Sequence, residues 1–420
     1  MKLHKRTLKN GLRIQAVEMP GTNVVTTLVL AGAGSRHEEM EISGIAHFLE
    51  HMFFKGAKKF PTPKSVSESV DAVGGKFNAF TGKEQVGYYV KTGKVNLDIS
   101  LDVLSDMLLH AKFPPEEIEK ERGVILEEMA MYQDTPTYQI MWDIESLIFG
   151  DQPLGRDQIG TKEFIKSVRQ QDFRNYMNDL YVPKNIVITI AGAVDEKDID
   201  KAEKYFQFED GDKNREHVSF DPDLAKKKYS IREKNTEQYH INFGVRAMSE
   251  QSEEYPTLRV LAAILGGNMS ARMFQNVREE KGLSYSIHTE TDGFTDTGYL
   301  TTRAGVKLGD VLKAIEAIRY EYDDVVKNGI SEKELEKAKG YLVGQIDLET
   351  EDTEKVANHF AYNELFYRKT DDFEEEKRKI ESVTKEQVEE LAKKLLRPEN
   401  FRLAGIGPEI KERELLPLIS

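Results

Sequence analysis

The chain of 420 residues contains no cysteine and no run of 18 apolar residues. The lack of cysteine excludes thiol catalysis and Cys-ligated zinc, so a bound metal must use His and carboxylate ligands. Without a long apolar run, no transmembrane helix or membrane partner is expected. The first residues, Met1 to Arg6, lead into a polar, strand-like segment instead of the apolar core of a signal peptide. We therefore expect a cytoplasmic protein, since the absence of cysteine also fits a reducing compartment.

The chain is acidic, with 73 Asp and Glu against 59 Lys and Arg and a formal net charge of -14. This balance argues against nucleic acid as a partner. A negatively charged enclosure would favour basic peptides, although a charge-rich surface exposed to water explains the same total. The net charge therefore argues against a nucleic-acid partner but does not identify the substrate.

A repeated pattern divides the chain into two halves. Residues 167–192 and 382–407 match at a constant offset of 215, and each stretch reads as a helix, a Pro-x-Asn turn and an apolar strand. Between the halves, residues 209–216 and the three lysines at 226–228 have the composition of a linker. We predict an N-terminal domain over 1–215 and a duplicated C-terminal domain over 225–420, joined by a linker at about 208–228.

Within each half, strands come first and helices follow. The pattern predicts strands at 13–17, 24–30 and 239–245 and hairpins at about 76–92 and 284–304. It predicts helices at 44–55 and 64–73, three more between 95 and 149, and long helical stretches over 308–396. This order favours an α+β fold with antiparallel sheets over a doubly wound one. The paired glycines at 74–75 and 266–267 lack the spacing of nucleotide-binding loops, so no nucleotide is expected.

The most specific motif is H-x-x-E-H, formed by His47, Glu50 and His51. On a helix, the two imidazoles lie one turn apart and can bind one Zn²⁺, with Glu50 beside them to accept a proton from water. The flanking residues are apolar, which predicts a buried helix, and Ser43 is a plausible N-cap. Burial makes unpaired His and Glu side chains costly and favours a metal site. The alternative is a buried His pair that is satisfied by hydrogen bonds.

A third ligand is needed, and the helix over 115–130 offers several acids. Glu121 and Glu128 fall on the apolar face of this helix, whereas Glu127 points about 100° away. Helix geometry does not choose between the two inward acids. The alternative is that both belong to a run of charged residues exposed to water. The apolar face is defined by four residues: Ile118, Ile125, Met129 and Tyr132.

These motifs resemble the pitrilysin family of inverted-motif zinc peptidases, specifically the short branch that includes mitochondrial processing peptidase and its bacterial relatives. The resemblance covers essentially the whole chain. The family follows its H-x-x-E-H helix with E-R-x-V-x-L-x-E, which matches residues 121–128. The resemblance implies one Zn²⁺ per chain, held by His47, His51 and Glu128. It also implies that Glu121 supports a ligating His.

Two further matches bear on substrate binding. Asn78, Ala79 and Phe80 resemble a family edge strand to which substrate adds as a further strand. Arg278 and Tyr285 match a family pair that reaches substrate and oxyanion from the second half of the enclosure. Without the resemblance, these two residues read as a surface arginine and a strand tyrosine.

The implied fold is two duplicated domains, each a mostly antiparallel six-stranded sheet covered on one face by helices, as in mitochondrial processing peptidase. The implied activity is a zinc metalloendopeptidase that cuts peptides or small unfolded polypeptides inside a closed chamber of two chains. Because one sequence carries both motif sets, a homodimer is the simplest assembly, and a heterodimer with a related subunit is possible. The alternative function is a metal-binding scaffold that needs a catalytic partner.

Overall fold

The computed structural model describes residues 1–410 and 412–419 and divides into two compact units. The first unit comprises residues 1–129, 157–218 and 347–372, and the second comprises 130–156, 219–346 and 373–420. The elements of the first half are β1 (Lys2–Thr7), β2 (Arg13–Glu18), β3 (Val24–Ala31), α1 (Ile45–Phe53), α2 (Pro63–Asp71), β4 (Lys76–Thr81), β5 (Val86–Gly93), α3 (Leu97–His110), α4 (Pro115–Asp134), α5 (Pro136–Phe149), α6 (Lys162–Ser167), α7 (Gln170–Leu180), β6 (Ile186–Gly192) and α8 (Lys197–Tyr205).

The second half continues with β7 (Tyr229–Glu233), β8 (Gln238–Ala247), α9 (Tyr255–Leu265), β9 (Ser284–Gly293), β10 (Gly298–Lys307), α10 (Val311–Asn328), α11 (Glu332–Glu349), α12 (Thr353–Tyr362), α13 (Phe373–Glu381), α14 (Lys385–Leu395), β11 (Arg402–Gly407) and α15 (Glu412–Ile419). Two π-helical segments follow α9 and α12, at Met273–Glu280 and Asn363–Tyr367. No helix within the described residues combines the length and apolarity needed to cross a bilayer.

The two sheets share one topology. The first has the strand order β1-β2-β6-β3-β5-β4 and the second has β7-β11-β8-β10-β9. Strand β6 is parallel to β2, β11 is parallel to β7, and the other pairs are antiparallel. The mostly antiparallel α+β fold with two duplicated parts is therefore confirmed. The second sheet has five strands over the described residues because β1 has no counterpart there.

The duplicated Pro-x-Asn turn explains the match between the halves. In each copy the Asn side chain donates a hydrogen bond to the carbonyl five residues earlier: Asn185 to Leu180 at 2.8 Å, and Asn400 to Leu395 at 2.9 Å. That carbonyl belongs to the last residue of α7 or α14, where helical backbone bonding ends. In each copy the Asn side chain thus caps the end of the helix just before β6 or β11 begins.

Both faces of each sheet carry helices, beyond the single covered face that the resemblance implies. In the first sheet, Thr27 hydrogen-bonds Ser100 of α3 on one face, and the adjacent Thr26 bonds Thr353 of α12 on the other. In the second sheet, α9, α10 and α14 cover one face, and α5 packs on β8 and β11 on the other. Helix α5 therefore belongs to the second unit and α12 to the first. Each half of the chain thus contributes one helix that packs on the sheet formed by the other half.

Candidate metal centre

Helix α1 presents the H-x-x-E-H motif from a buried position. Its apolar side chains are buried, whereas His47, Glu50 and His51 are half-buried on the remaining face. The spacing of three and four residues brings these polar side chains to adjacent turns, as expected for a helix. The helix is therefore held by its apolar face. The buried apolar residues are Ile45, Ala46, Phe48, Leu49, Met52 and Phe53.

The start of α1 is capped by a residue outside the helix. Gly44 is the N-cap, with φ at +106°, so the predicted cap at Ser43 is wrong. The Glu38 carboxylate instead accepts hydrogen bonds from the N–H groups of Gly44 at 2.7 Å and Ala46 at 2.8 Å. A carboxylate is also favoured by the positive end of the helix dipole. Burial nevertheless raises the pKa of Glu38 to about 8, against the effect of these two bonds.

Three potential metal ligands converge where α1 meets α4. The Glu128 Oε2 atom lies 3.8 Å from Nε2 of His47 and 3.6 Å from Nε2 of His51. The three ligand atoms all lie within 4.8 Å of one another. In the part of the chain that the structure describes, this is the one such group of three or more His, Cys, Asp or Glu side chains.

The donor set fits zinc. Two imidazoles and a carboxylate are a usual catalytic zinc set, with the fourth position left for water. Zinc–ligand bonds of about 2.0–2.2 Å place tetrahedral ligand atoms roughly 3.4 Å apart, so the two separations between Glu128 and the histidines need to shorten by only a few tenths of an ångström. Burial together with the charge of His51 lowers the pKa of His47 to about 3, which keeps its imidazole neutral, as a metal ligand must be.

Glu121 lies behind His51 and fixes its orientation. Its Oε1 atom is 2.8 Å from Nδ1 of His51, and its Oε2 atom is 2.5 Å from Nζ of Lys55. Burial would raise the pKa of Glu121, but the bonds from His51 and Lys55 lower it overall. Burial likewise would lower the pKa of His51, but Glu121, Glu50 and Glu128 raise it overall. The ionised Glu121 thus directs Nε2 of His51 towards Glu128.

Glu50 stands next to the ligands and is held by β4. The Thr81 hydroxyl donates a hydrogen bond of 2.8 Å to Oε2 of Glu50. Burial raises the pKa of Glu50, and the hydrogen bond from Thr81 and the charge of His51 oppose this shift. Burial and Glu128 thus make Glu50 more basic than an exposed carboxylate, and Thr81 restricts its orientation.

The predicted substrate-binding residues lie on β4, at one edge of the first sheet. Asn78, Ala79 and Phe80 pair with β5 on one side only, and no strand within the described residues covers the other side. The Phe80 ring lies over Gly87, where a Cβ atom would collide with it. Asn78 is exposed, and its Oδ1 accepts a bond from the N–H of Ala79. The edge of β4 therefore retains backbone groups that another strand could pair with.

Arg278 and Tyr285 belong to the second unit and lie on consecutive elements. Arg278 is in the π-helical segment Met273–Glu280, with its guanidinium 4.4 Å from the centre of the Phe274 ring. Tyr285 is near the start of β9 and is 77% exposed. A turn at Gly282, with φ at +62°, joins the two elements, and its N–H bonds the Arg278 carbonyl. An aromatic side chain so exposed is available to contact another molecule.

Sequence reasoning missed two residues of this site, Glu38 and Lys55, and placed Thr81 in the edge-strand motif without its contact to Glu50. Lys55 was detectable, because it follows His51 by four residues within the helix predicted over 44–55 and would share its face, although α1 itself ends at Phe53. Thr81 ends the edge-strand motif, but nothing local pairs it with Glu50. Glu38 lies six residues before the N-cap, outside the range of ordinary capping patterns.

Comparison with known sequences identifies the family. A family profile described as Insulinase (Peptidase family M16) matches residues 13–162, and one described as Peptidase M16 inactive domain matches residues 167–342. The uncharacterized zinc protease YmxG of Bacillus subtilis is 36% identical over 97% of this chain and 98% of its own length. The uncharacterized zinc protease ML0855 of Mycobacterium leprae is 32% identical over 98% of this chain and 93% of its own. The chain belongs to peptidase family M16, which confirms the resemblance seen in its motifs.

Solved structures confirm the fold. A protease from Helicobacter pylori superposes with a TM-score of 0.88 at 22% identity, over 97% of this chain and 99% of that one. A chain of complex III2 from Candida albicans superposes with a TM-score of 0.84 at 19% identity, over 99% of both chains. At these identities the likeness extends to the fold alone.

Proposed function

We propose that this chain, a zinc metallopeptidase by family, is an endopeptidase that cuts peptides or small unfolded polypeptides. The observation that carries the proposal is the convergence of His47, His51 and Glu128 beside an independently held carboxylate, Glu50. Three ligands leave a fourth position for water or substrate, which distinguishes a catalytic zinc site from a closed structural one.

The residues around the metal have separate tasks. Bound zinc would polarise the scissile carbonyl and lower the pKa of water towards neutrality. Glu50 would take the proton of the attacking water and deliver it to the leaving amine. Thr81 would hold the Glu50 carboxylate in one orientation, since its hydroxyl donates to Oε2. Glu121 would hold His51 in the tautomer that leaves Nε2 free for the metal.

Strand β4 offers a binding mode for an extended peptide. Thr81, which contacts Glu50, ends the strand that carries Asn78, Ala79 and Phe80. A peptide that adds to this edge would form main-chain hydrogen bonds independent of its side chains. Its scissile bond would then lie near Glu50, and an unstructured peptide would bind better than a folded protein.

The assembly is also part of the proposal. Arg278 and Tyr285 would contact the substrate, with Tyr285 donating a hydrogen bond to the developing oxyanion, a contribution of about 3 kcal/mol for one well-placed donor. These residues would come from the second copy in a homodimer, or from a related chain in a heterodimer. The cytoplasmic location and the preference for basic peptides stay predictions.

Metal content and peptide cleavage, measured together, test this function. The purified chain should contain one zinc ion, cleave an unstructured basic peptide, lose activity to a chelator and regain it with zinc. Glu128→Gln should lose both zinc and cleavage, because it removes a charged ligand. Glu127→Gln is the matched control, since this exposed neighbour on α4 lies off the ligand face.

The same experiment separates the peptidase from the scaffold. A chain that binds zinc but cuts no peptide until a second protein is added would favour a heterodimer or scaffold. A chain that binds no zinc, or that cleaves equally well as Glu128→Gln, would overturn the proposed metal centre.

A further inference from the structure

The second unit contains a basic cavity that the proposed peptidase mechanism does not use. Its volume is about 390 Å³, and its polar lining comes from Arg246, Lys394, Asn400 and Arg402. We call these four residues and the space between them the arginine pocket. The apolar lining comes mainly from the end of α5, the segment before β7 and the end of β8: Ile148, Pro222, Ala225, Ala247 and Met248.

Strand register places the two arginines on one face of the sheet. Arg402 of β11 pairs with Gly244 of β8, and Arg246 lies two residues further along β8. Because side chains alternate along a strand, Gly244 and Arg246 share the face to which Arg402 points. Like charges on neighbouring strands repel each other. The duplicated turn at Asn400 ends two residues before Arg402, where β11 begins.

Neither guanidinium is neutralised within the part of the chain that the structure describes. Arg402 donates to backbone carbonyls, including those of Phe401 at 3.0 Å and Glu399 at 3.1 Å. The Arg246 guanidinium lies 5.0 Å from the centre of the Phe220 ring. Burial lowers the pKa of Arg402, and the charge of Arg246 lowers it further. These contacts orient both side chains without an acidic partner.

Three lysines, 226–228, directly precede β7, the strand that pairs with β11. The carbonyl of Lys228 accepts a hydrogen bond from the N–H of Leu403, so the end of this run lies beside the strand that carries Arg402. These three lysines are exposed and have no ion pair among the described residues. Lys394 alone has an acidic neighbour, Glu254, at 2.5 Å. This concentration of positive charge contrasts with the chain's net charge of -14.

We propose that the arginine pocket binds a phosphate group, either free or carried by a small molecule. Guanidinium forks match the oxygen geometry of phosphate and bind it through charge-assisted hydrogen bonds. A phosphate would offset the repulsion between Arg246 and Arg402. A cavity of about 390 Å³ also has room for a small organic group beyond the phosphate. The site uses no residue of the metal centre.

Calorimetric titration of the zinc-loaded chain tests the proposal. Inorganic phosphate and glycerol phosphate are the two probes, and acetate and chloride are the competing anions. Arg246→Gln should weaken phosphate binding by about tenfold or more, because it removes a charge-assisted contact. Arg402→Gln should do the same, but it also removes hydrogen bonds to its own turn. Arg303→Gln is the matched control, since Arg303 lies on β10 of the same sheet beside Glu290.

Each outcome supports the proposal or overturns it. Tighter binding of glycerol phosphate than of phosphate points to a phosphorylated small molecule, and the reverse order points to free phosphate. The proposal fails if neither probe binds, if acetate binds as tightly, or if Arg246→Gln binds as the parent does. It also fails if Glu128→Gln weakens binding, because the phosphate would then lie on the metal.

Discussion

Nδ1 of His51 lies 2.8 Å from Oε1 of Glu121, and this contact leaves Nε2 of His51 facing Oε2 of Glu128 at 3.6 Å. The carboxylates of two acids on one helix thus lie next to the two different ring nitrogens of His51. Their separation of seven residues, or two turns of α4, sets both on the same helix face. These two contacts favour different roles for the two acids: Glu128 as a metal ligand, and Glu121 as the residue that orients a ligating His.

We expect Glu121→Gln to weaken zinc binding by about 10–100-fold, because acids that support a ligating His contribute that much to metal affinity. The measurement is competition with a chelator of known affinity. Glu119→Gln, an exposed position on the same helix, should bind zinc as the parent does. Equal affinity in Glu121→Gln and the parent would show that the contact with His51 has no influence on the metal.

We expect Glu38→Ala to destabilise the protein more than Glu38→Gln does. The alanine leaves the N–H groups of Gly44 and Ala46 buried without an acceptor, at about 1–3 kcal/mol for each, whereas glutamine keeps one acceptor oxygen. Urea unfolding of the metal-free protein measures the difference. If both variants unfold at the parent's midpoint, Glu38 does not anchor the start of α1.

A third prediction concerns acid stability in the second unit. Burial would raise the pKa of Glu334, but Arg272 and the N–H and hydroxyl of Ser331 lower it to about 2, from an ordinary value of 4.5. A lowered folded-state pKa means that the stabilisation is present above pH 4.5 and is lost as the pH falls towards 2. The free energy of unfolding should therefore decrease over this range.

The Glu334→Gln variant tests this acid dependence. It should be less stable than the parent at neutral pH, and the difference should shrink as the pH falls from 4.5 towards 2. Urea unfolding of both proteins without metal measures it. Glu332→Gln, at an exposed position two residues earlier on α11, is the control and should track the parent. A difference that stays constant with pH would contradict the assigned ion pair with Arg272.

Local patterns were sufficient to predict much of the site and the element order. The stripe on α4 identified Glu121 and Glu128 as the inward acids, and Glu121 is buried while Glu127 is exposed. The predicted repeat also appears as equivalent turns at Asn185 and Asn400. Such features are visible because each is a pattern within one short segment of the sequence.

Long-range packing could not be predicted in the same way. The apolar face of α5 predicts burial, but it does not say that the helix lies on β8 and β11 of the other half. The same holds for α12 and Thr26. Glu38 was missed because its contact with Ala46 spans eight residues through a turn. These relations depend on the folded topology, which periodicity within one segment does not encode.

Cleavage by Glu50→Gln, with zinc content measured on the same sample, tests the central claim most directly. Glu41→Gln, an exposed acid in the turn before α1, is the matched control. The account predicts that Glu50→Gln retains the parent's zinc and loses at least about a hundredfold in turnover, because general-base catalysis contributes that much. A Glu50→Gln protein that carries zinc and cleaves the peptide at the parent's rate would contradict the account.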